Sequence, residues 1–237
     1  MRRRTLLSSG LALGLPALPA LAQTAAPGPR RVHALSLLGE PALPADFTHF
    51  PWVNPDAPKG GEITLYALGS FDSFNPYILR GTVVVGITNL YDTLLKESAD
   101  EASAEYGHLA GMVEIPADRR GVTFELRESA RWHDGKPVTA DDVVWTFNTL
   151  RQHGRPFYRA YWADVSEVVA ESPRRVTFRF STDENRELAL ILGQLAVLPK
   201  HWWEGRDFSR PGLDVPLEEV VGAMDAIATP VSLYEPV

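Results

Sequence analysis

The clearest alternation of apolar and polar positions lies near the middle of the chain. Val122, Phe124 and Leu126 alternate with Thr123, Glu125 and Arg127, the period of a strand with one buried face. Met112-Val113-Glu114-Ile115 precedes it across the turn Pro116-Ala117-Asp118-Arg119-Arg120, so the two segments predict a hairpin. Residues 165–170 and 175–180 predict a second hairpin around Ser172-Pro173, with Val176, Phe178 and Phe180 on one face. Between the hairpins the period changes from two to that of a helix. His133-Asp134-Gly135 reads as a turn in which Gly135 can take a positive φ. Thr139 is placed to cap a helix, its hydroxyl accepting from the Asp142 amide, while Asp141 and Asp142 set negative charge at the positive helix end. Val143, Phe147 and Leu150, with Val144 beside them, form the apolar stripe, and Gly154 and Pro156 end it.

The flanks are read in the same way. Residues 24–32 are expected to be a flexible leader, and His33 to Pro41 holds a short apolar strand. From Asp46 to Gly61, prolines and a Gly-Gly pair exclude helix, yet Phe47, Phe50 and Trp52 predict an arm packed onto a domain. Glu62 to Leu68 alternates as a strand, and residues 69–76 form the loop at its end. Thr82 to Glu97 reads as a helix with Val84, Ile87, Leu90, Tyr91, Leu94 and Leu95 on its apolar face, and Ser98 to Gly107 as an acidic surface link. Residues 155–162 form an aromatic loop that could stack a ligand or cover a sheet. A helix is expected to start at Asp183-Glu184-Asn185, and Leu188 to Leu198, almost wholly apolar, to be buried on several sides before Pro199 to Trp203 ends it.

The 237 residues, 45% apolar and 22% charged, suffice for one or two packed cores. Residues 1–22 read as an export signal: Arg2, Arg3 and Arg4, an apolar run from Leu6 to Leu18, and Ala20-Leu21-Ala22 as a small-x-small cleavage site. Arg3-Arg4-Thr5-Leu6-Leu7 also resembles a twin-arginine signal; the general and twin-arginine routes both stand. Nothing after residue 22 is long and apolar enough to span a bilayer. The chain lacks cysteine, which excludes a disulfide framework, a thiolate metal site and a lipid-anchored cysteine. Losing the three leader arginines moves the net charge from −7 to −10, which argues against nucleic acid and anionic membranes as partners.

Few residues suggest chemistry. His133–Asp134 could be read as a catalytic pair, but neighbours on a turn point apart and no serine or cysteine nucleophile is marked out beside them. His108 and His153 show no ligand spacing, so neither a metal nor a cofactor is expected. Arg119-Arg120 reads as a solvated turn. Ligands of open α/β sheets collect beyond strand ends, which singles out the loop after residue 68.

The run Leu126-Arg127, Trp132, Asp134-Gly135, Pro137-Val138-Thr139-Ala140 and Asp142-Val143 fits the pattern L-R-x-x-x-x-[FW]-x-D-G-x-P-[VL]-T-A-x-D-V without a gap. In this it closely resembles the extracellular solute-binding proteins of the peptide/nickel class (family 5), which serve ABC importers. The segment DFTHF-x-x-VNPDAPKGG, residues 46–61, resembles the branch associated with oligopeptide and microcin C uptake. The resemblance covers residues 35–217 and implies an α/β, periplasmic-binding-protein-like fold of class II, with mixed sheets and flanking helices. It implies a signal peptide at 1–22, a leader and arm at 23–61, the start of a large lobe at 62–95, a small lobe at 96–184, a return to the large lobe at 185–217, and a divergent tail at 218–237. It makes Gly69, Ser70, Phe71 and Asp72 the candidate ligand contacts, offering main-chain groups to an oligopeptide held between two closing lobes; the alternative is a turn in which Phe71 and Phe74 are core anchors. The implied protein is a periplasmic monomer, not an enzyme, that delivers its ligand to permease subunits. After Leu217 the family pattern would continue Gly-Ser-Gly-Pro-Tyr, whereas this chain has Glu218-Glu219-Val220-Val221-Gly222-Ala223, so the larger lobe is expected to be truncated. A residual non-functional fragment and a periplasmic hydrolase built on His133 are the rival readings.

Overall fold

A computed structural model describes residues 28–62 and 64–210. The export signal and the divergent tail lie outside the described residues.

The described residues begin at an edge of a sheet. Residues Arg30–Val32 form strand β1, antiparallel to β5 (Ala110–Ile115), where a flexible leader is expected. An edge strand needs only one partner; here Arg31 adds an ion pair to Glu125 at 2.6 Å across the sheet. The predicted first hairpin forms from β5 and β6 (Gly121–Leu126), and the second from β7 (Val165–Ser172) and β8 (Arg175–Phe180). They join through β6 and β8 into a five-stranded antiparallel sheet ordered β1-β5-β6-β8-β7. Its register sets Val113, Phe124, Val176 and Ala170 in one row and Val122, Phe178 and Val168 in another. These rows face the core, with Val113, Val122, Phe124, Val176 and Phe178 fully buried. The opposite face is polar: Arg175 bridges Glu114 and Glu171, Thr123 bonds Thr177 at 2.8 Å, and Arg179 pairs with Glu167.

Helix α1 (Ala140–His153) lies on the core face, as its apolar stripe requires. Val143, Phe147 and Leu150 are buried, and the Phe147 ring meets Phe178 edge-on at 5.4 Å and stacks on Trp162 at 4.7 Å. Thr139 and Asp142 form a capping box, the Asp142 carboxylate accepting from the Thr139 amide at 2.8 Å. Residues Pro156–Tyr161, expected as a loop, make a short helix α2 with Pro156 at its first turn, where a missing amide hydrogen costs nothing.

A second, three-stranded sheet is ordered β2-β4-β3, from Ala34–Ser36, Ala104–Gly107 and Leu95–Glu97. It corrects two expectations. The helix expected over 82–97 is reduced to a 3-10 turn at Ile87–Leu90, because Gly86 at φ 90° breaks the run and Leu95 opens strand β3, with Leu94 buried beside it. The stretch read as a surface link contributes the central strand, with Ala104, Glu105 and Tyr106 buried. One face of this sheet is covered by the arm: Phe50 is buried against Tyr106, and the Leu43 amide donates to the Tyr106 hydroxyl at 3.0 Å. The other face takes α3 (Leu188–Gly193). The apolar run 188–198 is buried as expected, but its helix ends at Gly193, and Ala196 bridges Thr93 in extended form. Helix α4 (Lys200–Trp203) follows Pro199.

The strand expected at 62–68 does not form. Glu62 and Thr64 to Leu68 find no ladder partner among the described residues, and Leu65, Tyr66 and Leu68 are 80%, 91% and 94% exposed. Alternation supplies one apolar face, but a strand also needs a neighbour for its main chain.

Candidate functional site

The four candidate contact residues occupy one exposed loop. Gly69 turns the chain at φ 101°, a conformation that suits glycine, and Ser70, Phe71 and Asp72 follow it into solvent. Among the described residues the main-chain groups of Gly69, Ser70 and Phe71 make no hydrogen bond, so they are free to meet a ligand. Asp72 is occupied: its amide donates to the Thr82 carbonyl at 3.0 Å and its Oδ1 accepts from the Thr82 amide. Its carboxylate therefore closes the loop 72–82 and has one oxygen left. Phe71 and Phe74 meet edge-on at 5.4 Å, with Phe71 still 44% exposed.

The loop is anchored from below. Ser73 and Asn75 are fully buried. The Ser73 hydroxyl accepts from the Asn75 amide at 3.1 Å, and Asn75 Oδ1 accepts from the Tyr77 amide at 3.0 Å. Asn75 Nδ2 donates to the Phe208 carbonyl at 2.8 Å, tying the loop to the segment after α4. Arg155 reaches the same region, donating to the carbonyls of Tyr77 and Ile78. Asn75-Pro76 reads from sequence as a turn residue pair; the long-range bond to Phe208 carries no local signal.

The signature run folds into scaffold, and each of its polar residues has a mechanical role. The Arg127 guanidinium donates to the His108 carbonyl at 2.8 Å and the Gly107 carbonyl at 3.2 Å, where the chain passes from β4 into β5. Gly107 is required there, since a β-carbon would stand 2.6 Å from the Ala110 carbonyl oxygen. Gly135 takes φ 82°, as predicted. Asp134 does not pair with His133: it accepts from His201 Nε2 at 2.8 Å and lies 3.2 Å from the Lys136 ammonium. The Lys136 amide and side chain, with His201, hold its carboxyl down at about 2. Asp142 is buried, and its Oδ1 accepts from the Lys200 amide at 2.9 Å, so the cap of α1 is also the start of α4.

The aromatic segment divides. Trp162 is buried and Tyr158 partly so, its phenol pushed up to about 12 by burial, while Phe157 and Tyr161 are 42% and 58% exposed beside a cavity of about 220 Å³. A more open hollow of about 580 Å³ lies between α1 and the segment after α4, lined by Trp145, Asn148, Gln152, Trp203 and Phe208. Among the described residues no three His, Asp or Glu side chains converge as a metal site, and no helix is long and apolar enough to cross a membrane.

Comparison with known proteins places this scaffold. Residues 104–219 match the family described as bacterial extracellular solute-binding proteins, family 5 Middle. The chain is 43% identical over 187 residues to the probable peptide-binding protein YejA of Agrobacterium fabrum, a match covering 76% of this chain and 30% of that protein. It is 41% identical over 208 residues to the peptidoglycan-binding protein YepA of the same organism, covering 84% of this chain and 33% of that one. The chain thus spans about a third of the length of these curated relatives. The crystal structure of NikZ from Campylobacter jejuni, in complex with Ni(L-His), shares the fold at a TM-score of 0.50 and 21% identity, over 60% of this chain and 28% of that one. On the family match and these identities, the chain belongs to the bacterial extracellular solute-binding proteins, family 5.

Proposed function

We propose that the protein is the periplasmic substrate-binding component of an ABC importer, taking oligopeptides at the Gly69–Asp72 loop and delivering them to permease subunits of the inner membrane. The observation that carries this reading is the 43% identity, over three quarters of the chain, to a protein named as a probable peptide-binding protein. The exposed loop supports it, because the unpartnered main-chain groups of Gly69, Ser70 and Phe71 suit a ligand recognised through its backbone. In this reading residues 1–22 are the export signal, with 62–95 and 185–217 belonging to a large lobe and 96–184 to a small one. The ligand lies between the lobes, which close on it by a hinge motion.

The loop furnishes one wall of such a cleft. Amide chemical shifts of the isotope-labelled protein, followed while a mixture of short peptides is added to millimolar concentration, test the reading. Gly69, Ser70, Phe71 and Asp72 should move, while the His133–Asp134 turn should not. A loop silent to peptides but responsive to muropeptides or a nickel–histidine complex overturns the ligand class. Cleaved peptide in the same tube overturns the non-enzymatic reading.

A further inference from the structure

Glu105 sits at the middle of the central strand of the three-stranded sheet and is 2% exposed. Its Oε1 accepts a hydrogen bond from Gln194 Nε2 at 2.7 Å. Its Oε2 is buried and has no partner among the described residues. In register, Glu105 is flanked by Leu35 on β2 and Glu97 on β3. The end of α3 closes over it: a β-carbon at Gly193 would stand 2.5 Å from Oε2 and 2.7 Å from the Leu95 side chain. The space under α3 is therefore shaped around one carboxyl group by Leu35, Leu95 and the bare main chain of Gly193. The charge bearing on Glu105 is that of Glu97, which is of the same sign. A carboxylate in this place would give up hydration with no counter-charge to replace it, whereas the neutral acid would not.

We propose that Glu105 carries a proton while α3 is docked on the three-stranded sheet, and that its ionisation releases α3, making this contact a proton-operated latch. Burial pushes the carboxyl up to about 7, Glu97 acts in the same direction, and the Gln194 bond opposes both. The folded value lies above the ordinary value of 4.5, so the folded protein keeps a proton that the unfolded chain sheds. The latch is fully stabilising below pH 4.5 and weakens as the pH rises through about 7. Release has a route outward. Directly after α3, the Leu195 carbonyl accepts from the Leu94 amide and the Val197 amide donates to the Asp92 carbonyl, so a loosened α3 loosens the segment that leads into β3.

The test compares the thermal unfolding of the full chain and its Glu105→Gln variant across neutral pH. Between about pH 5 and about pH 8 the folding equilibrium of the unaltered chain should weaken by about tenfold or more relative to the variant. At the upper pH the variant should be the more stable of the two, although it has lost a charged hydrogen-bond acceptor. Carbon-13 spectra of glutamate carboxyls should show one resonance titrating near neutrality that the variant lacks. The proposal fails if the variant keeps the pH slope of the unaltered chain, or if it is the less stable at both pH values. It fails equally if every glutamate carboxyl of the unaltered chain titrates in the acid range. The carboxyl titration needs only the unaltered protein, so it decides the matter even if the variant does not fold.

Discussion

Arg127 shows how much one signature side chain can hold. Its guanidinium spans two adjacent carbonyls, of Gly107 and His108, at the point where β4 becomes β5. Removing it leaves those carbonyls to water, and hydrogen bonds from a charged donor contribute about 1–2 kcal/mol at a partly exposed position. Arg127→Ala should therefore lower the unfolding free energy by about 1–2 kcal/mol in urea titrations, with little change in slope. Arg127→Lys should recover less than half of the loss, because an ammonium cannot reproduce a planar fork reaching two acceptors. The sequence marks Arg127 as part of a pattern, but its target is an irregular joint 19 residues away, which no local periodicity encodes. The turn at Gly135 and the Thr139–Asp142 cap were legible because their chemistry is contained within a few residues. The His201 bond that claims Asp134 was not, being 67 residues distant.

At the scale of elements, α1 and α4 share one buried carboxylate. Asp142 accepts from the amide and hydroxyl of Thr139 and from the amide of Lys200. Asp142→Ala strips all three and leaves half-buried donors without their acceptor, so a loss of about 2 kcal/mol is expected from calorimetric unfolding. Thr139→Ala removes only one donor and should cost about 1 kcal/mol. The two hairpins and α1 were readable because alternation, turn residues and capping agree over short spans. The three-stranded sheet was not. Leu94 and Leu95 fall where a helical stripe would place them, and the central strand carries Glu105, whose charge suggests a surface position. A buried acid is visible only once its neighbours are in place.

Across the whole molecule, five of the most exposed apolar side chains among the described residues fall between residues 65 and 85, with Leu38 a sixth elsewhere. Leu65, Tyr66, Leu68, Leu79 and Val85 are each more than 70% exposed, and the candidate loop Gly69–Asp72 lies among them. Exposed apolar side chains next to unpaired main chain favour self-association. The isolated chain is expected to bind a hydrophobic dye and to elute in size-exclusion chromatography ahead of a 26.2 kDa monomer. The double substitution Leu65→Lys and Leu68→Lys should reduce both signals without moving the thermal midpoint, since neither side chain packs in the core. A dye-silent monomer would mean that this stretch is covered in solution.

The narrow passage between the two sheets has a mechanical consequence. Strands β1 and β2 run on past His33 beside the continuation of β4 into β5, and the segments at Leu94 and Leu195–Val197 are bonded to each other next to it. A twist applied to the arm-covered sheet reaches the larger one through this passage and through the core that Leu35 and Leu95 share with Val113 and Phe124. The two sheets therefore share one packed interior at this passage and should move as one body.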